Sequence, residues 1–217
     1  MMSQVDEMLE DLAEIATPTL ANALDDLDIA GVMAGLQAAA PGLRCVGRAV
    51  TVREVTGPKG SFPAEDFMVG HMIDAADPGD IIVVDNGGHA VSTWGGLASY
   101  AAKVKGIAGL VVDGGVRDRE EIIEYGFPVF SRHVVPTPGR TRIRVAALGE
   151  PVSCGGVRVR QGDIIVADGT GVVCIPDELA EEVTALAARF SADDAQAKTE
   201  LDAGLTFREA MAKFKRI

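Results

Sequence analysis

A cation and two carboxylates follow one apolar run of the sequence. Arg117 and Asp118 come directly after the run 110–116, and Glu121 lies three residues beyond Asp118. An arginine binds a carboxylate or an enolate oxygen with its planar fork, a geometry that lysine cannot reproduce. An aspartate can hold a hard divalent cation, which prefers oxygen ligands and keeps waters where few carboxylates are offered. These residue types therefore indicate a site for a small anionic substrate and a metal ion.

A second glycine-rich segment lies upstream of this group. Gly95 and Gly96 precede a predicted helix, and twenty residues separate Gly96 from Arg117. Backbone N–H groups at the start of a helix are open to an anion, although the lysine and the serine or threonine of a phosphate loop are absent. Because twenty residues are about the length of one βα unit, the two segments are predicted to lie side by side at one sheet edge.

The same residues also allow a purely structural interpretation. Asp118 followed by Glu121 is the pattern of a capping box, and acidic residues in a first helical turn are favoured by the helix dipole. A pair of glycines is most often a tight turn. The local pattern alone favours this structural interpretation. When Arg117 and the predicted turn at Gly114 and Gly115 are also considered, the structural and functional interpretations are equally well supported.

Strands and helices alternate around these residues, as in a layered α/β protein. We predict strands at 45–55, 81–85, 109–113 and 129–130, the second of them central because it is continuously apolar. We predict helices at 65–76, 97–105 and 118–125, and a turn at Gly114 and Gly115 where side chains would clash. Alternating polarity predicts a hairpin that pairs 141–145 with 157–160.

Helices are predicted at both ends of the chain. Residues 5–15 have helical spacing, and Thr17 is expected to cap a second helix over 19–27, with a proline at its first position. From Asp177 the chain is expected to be helical, and the segment Thr206–Glu209 is predicted to form a capping box at the start of a final helix.

The composition excludes several function classes. The chain has 217 residues, 47% of them hydrophobic, and a formal net charge of −12. That charge argues against nucleic-acid binding, since phosphate contacts need clustered lysine and arginine. Three scattered cysteines favour reduced thiols in the cytoplasm, and neither a signal peptide nor a run of roughly 20 apolar residues is found. We expect one cytoplasmic domain over 1–217, with no membrane partner, a core at about 17–176 and a helical tail at 177–217.

The glycine segment and the Arg-Asp pair together resemble a known family. The segment 94–98, the twenty residues that follow Gly96, and the pair at 117–118 with Glu121 are similar to the 4-hydroxy-4-methyl-2-oxoglutarate aldolase family. That family also contains regulators of ribonuclease E activity and proteins once labelled demethylmenaquinone methyltransferase. The resemblance extends over about 17–176.

The resemblance implies a fold, an assembly and a set of roles. The fold is a swivelling β/β/α domain with a helical C-terminal tail, assembled as a homotrimer or homohexamer with sites between subunits. A small 2-oxo acid is expected to contact Arg117 and the backbone of four residues, Gly95, Gly96, Leu97 and Ala98. Asp118 is expected to bind Mg²⁺ or Mn²⁺, largely through water. A neighbouring subunit is expected to add a carboxylate from its C-terminal region, for which no residue of this sequence is assigned.

Two positions bear on which family activity is expected. An acid shortly after the Arg-Asp pair is associated with the aldolase members and is lacking in the ribonuclease regulators, so Glu121 favours an aldolase. Some aldolases of the family have aspartate where this chain has Gly96, and that side chain helps to arrange the waters of the metal.

The expected activity is metal-dependent cleavage of 4-hydroxy-4-methyl-2-oxoglutarate, or a related 4-hydroxy-2-oxo acid, to pyruvate. The catalytic residues would be Arg117, Asp118 and Glu121, with Arg117 stabilising the enolate oxygen. Oxaloacetate gives the same enolate when it loses CO₂, so decarboxylase activity should accompany aldolase activity. The alternative is a non-catalytic protein that binds and inhibits a ribonuclease. A methyltransferase is disfavoured because no glycine fingerprint is present.

Overall fold

One large mixed sheet and seven α-helices form the fold in residues 4–214, which the computed structural model describes. The strands are β1 (Val32–Met33), β2 (Gln37–Ala38), β3 (Cys45–Thr56), β4 (Ile81–Asp85), β5 (Ser92–Trp94), β6 (Gly109–Val116), β7 (Val129–Val134), β8 (Ile143–Leu148), β9 (Val152–Cys154), β10 (Val157–Val159), β11 (Ile164–Ala167) and β12 (Val172–Ile175). The helices are α1 (Gln4–Glu14), α2 (Thr17–Asp26), α3 (Val69–Ala75), α4 (Gly96–Lys105), α5 (Arg119–Tyr125), α6 (Ala180–Asp202) and α7 (Phe207–Lys213).

The strand order explains why the carboxyl ends of β4 and β6 come together. The order is β1-β12-β11-β3-β4-β6-β7-β2, with β5 beside β6 and β8 beside β3. Strands β3, β4, β6 and β7 run parallel, and Asp85 at the end of β4 is in register with Asp113 of β6. Because ligands bind outside the carboxyl ends of parallel strands, this edge is where a site is expected.

Apolar side chains on both faces of the sheet bury its centre. Along β4, Ile82 and Val84 pack on the face that α3, α4 and α5 cover, whereas Ile81 and Val83 pack with the β9–β10 hairpin. The alternation follows from the two-residue period of a strand. A third core cluster joins α1 and α2 to α6 and the back of β11 and β12. The expected α/β fold with a helical C-terminal tail is confirmed.

The turn predicted at Gly114 and Gly115 is wrong, because both glycines lie inside strand β6. The strand continues through Gly114 and Gly115 to Val116, and all eight of its residues are buried. A Cβ at Gly114 would lie 2.7 Å from Asn86 Cβ, and one at Gly115 would lie 2.8 Å from the carbonyl oxygen of Val91. The glycines are therefore required by close packing inside the strand, and the chain turns after Val116.

Most predicted elements are present, and the predicted hairpin is wrong. Strand β8 pairs antiparallel with β3, while β10 pairs with β9 in a separate two-stranded sheet. Polarity alternates in any half-buried strand, so the pattern did not identify the partner. The helix predicted at 65–76 is a 3₁₀ turn over Ala64–Asp66 followed by α3. The capping box of Thr206 and Glu209 is confirmed at the start of α7.

Thr17 does not cap α2 as predicted. It is already helical, and the preceding Ala16 takes the N-cap position without a side-chain hydrogen bond. The Thr17 backbone N–H donates to Asp168 Oδ2 at 2.9 Å and its hydroxyl donates to Asp168 Oδ1 at 2.7 Å. A carboxylate from the far end of β11 thus satisfies the start of the helix, a contact that no local pattern reveals. In the described residues no helix is long and apolar enough to cross a membrane.

Candidate active site

The end of β6 and the start of α4 lie side by side, as the residue spacing predicted. Strand β5 runs parallel to the last part of β6, with Trp94 in register with Val116. The Arg117 N–H donates to the Trp94 carbonyl oxygen at 2.9 Å, so the pairing continues one residue beyond the strand. This pairing places Arg117 next to Gly95, the N-cap residue of α4.

Asp118 is the N-cap residue of α5, but its side chain faces α4 and does not cap α5. Its backbone lies in the left-handed region, with φ 55°, and its carbonyl oxygen accepts the first hydrogen bond of α5, from Ile122. Its carboxylate Oδ2 accepts the Gly96 N–H at 3.2 Å and lies 3.3 Å from Arg117 Nε. No side-chain hydrogen bond caps α5. The capping-box interpretation of Asp118 and Glu121 is therefore wrong.

Gly95 and Gly96 allow this close approach. A Cβ at Gly95 would lie 3.1 Å from Arg117 Cγ and closer still to the Asp118 carboxylate. A Cβ at Gly96 would lie 2.7 Å from Glu121 Cβ and would overlap the Glu121 carboxylate. A side chain at either position would therefore clash with the residues that follow β6. The aspartate that some aldolases carry at position 96 does not fit this arrangement of Glu121.

The predicted site residues share one exposed corner of the fold. The side chains of Arg117, Asp118 and Glu121 are exposed, with Arg117 48% and Asp118 37% accessible. Two carboxylates and a guanidinium therefore meet the start of α4, where the first backbone N–H groups have no acceptor within the helix.

The carboxylate oxygens at this corner suit a hard divalent cation that keeps several of its water ligands. In the part of the chain that the structure describes, no three His, Cys, Asp or Glu side chains come together to hold a metal ion. Asp118 and Glu121 lie over adjacent glycines and offer carboxylate oxygens at one place. Mg²⁺ is commonly held by one or two carboxylates together with waters and substrate oxygens. The residues present fit such an ion, and they do not fit a fully protein-coordinated one.

Comparison with known proteins assigns the family. The sequence model of the RraA-like family, described as Aldolase/RraA, matches residues 17–174. The chain belongs to the RraA-like family.

Similar proteins include a putative aldolase and a much longer protein. A putative 4-hydroxy-4-methyl-2-oxoglutarate aldolase of Halalkalibacterium halodurans is 32% identical over 195 residues, which are 89% of this chain and 88% of that protein. Protein DlpA of Legionella pneumophila is 30% identical to this chain over 94% of this chain's length. The matched region is only 33% of DlpA, so this chain spans about a third of that relative.

Solved structures confirm the fold. An uncharacterized protein from Pseudomonas syringae has a TM-score of 0.84 at 31% identity, covering 94% of this chain and 96% of that one. Streptomyces coelicolor RraAS2, described as an unusual member of the RNase ES inhibitor RraA protein family, has a TM-score of 0.74 at 27% identity. The alignment with RraAS2 covers 92% of this chain and 96% of that one.

A cavity opens beside Arg117 in this RraA-like protein, and the sequence did not point to it. Its volume is about 360 Å³, and it shares Gly95, Leu97, Ala98 and Arg117 with the predicted site. The other walls come from α3, β5 and the loop after β7, which are distant in sequence. No local motif brings these segments together.

Glu54 lies behind this cavity and was also missed. It is 7% exposed, accepts a hydrogen bond from the Thr93 hydroxyl at Oε1, and has no partner at Oε2 among the described residues. The pKa of Glu54 is raised to about 8, chiefly by burial; the Thr93 hydrogen bond lowers it in part, and the charge of Asp85 adds to the increase. The sequence contains one indication of this burial. Glu54 lies two residues after the buried Val52 in β3 and therefore on the same face of the strand.

Proposed function

We propose that this protein is a divalent-metal-dependent aldolase that cleaves a 4-hydroxy-2-oxo acid to pyruvate, with 4-hydroxy-4-methyl-2-oxoglutarate as a candidate substrate. The observation that carries the proposal is the meeting of Arg117, Asp118 and Glu121 at the glycine start of α4. The match to the Aldolase/RraA family supports it.

Arg117 and the start of α4 would bind the 2-oxo acid. Because Gly96 already donates to Asp118, the N–H groups of Leu97 and Ala98 are the ones free of intrahelical acceptors. They would donate to the substrate carboxylate at the positive end of the helix dipole. The guanidinium of Arg117 would stabilise the keto oxygen as it becomes an enolate oxygen.

Asp118 would hold the metal ion, and Glu121 would accept a proton. A bound divalent ion supplies Lewis acidity at the keto oxygen of the substrate. In the cleavage the C4 hydroxyl loses its proton to Glu121 Oε2, the C3–C4 bond breaks, and C4 becomes a carbonyl carbon. The electron pair passes to the enolate, and return of that proton from Glu121 to C3 gives pyruvate and restores the carboxylate.

The same residues predict oxaloacetate decarboxylase activity. Loss of CO₂ from oxaloacetate breaks a bond to the same C3 carbon and leaves the same enolate for Arg117 to stabilise. Decarboxylation needs no proton acceptor for a C4 hydroxyl. Replacing Glu121 with glutamine should therefore lower aldolase turnover more than decarboxylase turnover.

Pyruvate release from both substrates tests the proposal. With Mg²⁺ present we expect turnover, which EDTA abolishes. Arg117→Ala and Asp118→Ala should each lower kcat/KM by about 100-fold or more, since removing one transition-state donor commonly costs this much. The exposed residues Arg158 and Asp26 provide matched controls, and their alanine variants should keep full activity. Absence of turnover, or full activity of both site variants, would refute the proposal that this protein is an aldolase.

The second candidate is a non-catalytic regulator of a ribonuclease. Similarity to RraAS2 favours it, because that protein belongs to a family of RNase ES inhibitors. The net charge of −12 allows binding to a basic protein surface. A pull-down with a ribonuclease of the E type distinguishes this candidate, and Arg117→Ala should leave such binding unchanged if the site is catalytic.

We also propose a cytoplasmic homotrimer or homohexamer whose sites are completed between subunits. Buried free thiols at Cys45, Cys154 and Cys174 support a reducing compartment. The outer face of α4, next to the site, exposes Leu97, Tyr100 and Val104, which supports contact with a second copy.

A further inference from the structure

The cavity beside Arg117 is lined mainly by apolar side chains. Besides Leu97 and Ala98, the wall contains six apolar residues: Phe67, Val69, Ile73, Trp94, Ala101 and Pro138. Its volume of about 360 Å³ falls in the range of small-molecule pockets and exceeds what a methyl group needs. The cavity begins where the proposed 2-oxo acid would end, at Leu97, Ala98 and Arg117.

The polar groups in its wall are already engaged. The Thr93 hydroxyl donates to buried Glu54, and the Ser92 hydroxyl donates to the Trp94 carbonyl oxygen at 2.9 Å. The Trp94 indole N–H donates to the Ser99 hydroxyl at 2.9 Å. An occupant therefore finds few free hydrogen-bond partners, so a polar one would lose water contacts without replacement.

Arg117 and Arg140 are the charged residues of the wall, and the exposure of Arg140 weakens the case for a second carboxylate. Its side chain is exposed at the cavity. An ion pair between exposed groups contributes little to the binding free energy. Each apolar carbon buried against Phe67 and Ile73 adds to the binding free energy, and a phenyl ring buries several of them at once.

We propose that this cavity is the subsite for the C4 substituent and selects 4-hydroxy-2-oxo acids with a bulky apolar group there. The proposal rests on the proposed aldolase function and names its substrate class. Cleavage of such a substrate follows the steps given above, and the C4 carbon leaves as an apolar aldehyde or ketone.

Three substrates with the same 2-oxo acid end test the subsite. They are 4-hydroxy-2-oxopentanoate, with a methyl group at C4, 4-hydroxy-2-oxo-4-phenylbutanoate, with a phenyl group, and 4-hydroxy-4-methyl-2-oxoglutarate, with a second carboxylate. We expect kcat/KM for the phenyl substrate to exceed the other two by roughly tenfold or more, chiefly through a lower KM.

A filled cavity provides the matched variant. Ala101 lines the cavity from α4 with an exposed side chain, so Ala101→Phe should reduce the cavity without disturbing the core. The variant should lose the preference for the phenyl substrate and keep its oxaloacetate decarboxylase activity. Ala30→Phe, at an exposed position outside both the cavity wall and α4, should behave as wild type with all substrates in the same assay.

The outcomes separate the two proposals. Cleavage of the 4-hydroxy substrates with no preference for the phenyl one, or with a preference for the second carboxylate that Arg140→Gln removes, overturns the subsite and leaves the aldolase. Turnover of oxaloacetate alone overturns the aldolase and the subsite. No turnover of any substrate overturns the aldolase and the subsite together.

Discussion

The left-handed backbone at Asp118 directs its carboxylate towards α4. Aspartate adopts this region more readily than most residues, at a cost of about 1 kcal/mol or more. The Gly96 N–H and the Arg117 guanidinium, both bonded to the carboxylate, offset that cost. The residue thus links two helices before any ligand binds. This preorganisation is what a site needs if Arg117 is to meet an enolate oxygen without first rearranging.

Glu54 is expected to make stability fall as the pH rises. The pKa of Glu54 is raised from 4.5 to about 8 in the fold, so the folded protein holds this proton more tightly than the unfolded chain. Between those two pH values the free energy of unfolding should fall by roughly 2–5 kcal/mol, and above the folded pKa this contribution should be constant. Glu54→Gln should abolish the fall.

Urea unfolding at pH 5, 7 and 9 measures the effect as the difference between wild type and variant. At pH 9 the Glu54→Gln protein should be the more stable of the two. An exposed acid, Glu65, supplies the control, because Glu65→Gln should leave the wild-type dependence unchanged. Equal slopes for wild type and Glu54→Gln would mean that Glu54 is ionised in the fold.

Strands were predicted well where burial alone defines them, and poorly where a partner defines them. The apolar run of β4 fixed both its place and its bounds, since only a central strand is apolar on both faces. The glycines of β6 look the same in sequence whether they turn the chain or pack under Asn86 and Val91. The pairing of β8 with β3 joins segments almost a hundred residues apart, and no local periodicity encodes it.

The candidate site shows the same division. Arg117, Asp118 and Glu121 could be found from spacing because one βα unit brings them to the glycines of α4. The cavity and Glu54 could not be found in this way, because they depend on contacts between segments distant in the chain.

The contact between α2 and Asp168 makes a prediction at the level of elements. Burial tends to raise the pKa of Asp168, but hydrogen bonds from Thr17, Thr170 and Gly171 outweigh it and lower the pKa overall. The carboxylate therefore stabilises the fold above its unfolded pKa, and this stabilisation is lost as the pH falls through the folded pKa. Asp168→Ala should lower the free energy of unfolding by about 1–3 kcal/mol at pH 7.

Chemical denaturation at pH 7 and at pH 3 checks this prediction. The deficit of Asp168→Ala relative to wild type should shrink at the lower pH, because protonation removes the charge from the wild-type carboxylate. Asp193→Ala, an exposed position on α6, should show no deficit at either pH. A deficit that is equal at both pH values would show that the charge of Asp168 contributes nothing.

The whole molecule leaves one face unexplained in a single copy. On α4, Leu97 is 81%, Tyr100 52% and Val104 72% exposed, and they project from one side of the helix at i, i+3 and i+7. A stripe of large apolar side chains beside a proposed active site is a costly surface for a monomer. Contact with a second copy would bury this stripe and would bring a neighbour's side chains to Arg117 and Asp118.

Light scattering on the wild-type protein should therefore give a mass three or six times 22.6 kDa. Val104→Asp would place a charge in the proposed contact, and we expect it to shift the mass towards one chain and to lower pyruvate release together, because burying an unpaired charge opposes association. Met211→Asp, an equally drastic change at an exposed apolar position of α7, should leave both mass and turnover unaltered. A wild-type monomer with full turnover would show that each chain contains a complete site, and the substrate would then be held by the residues of one α4 and one β6 alone.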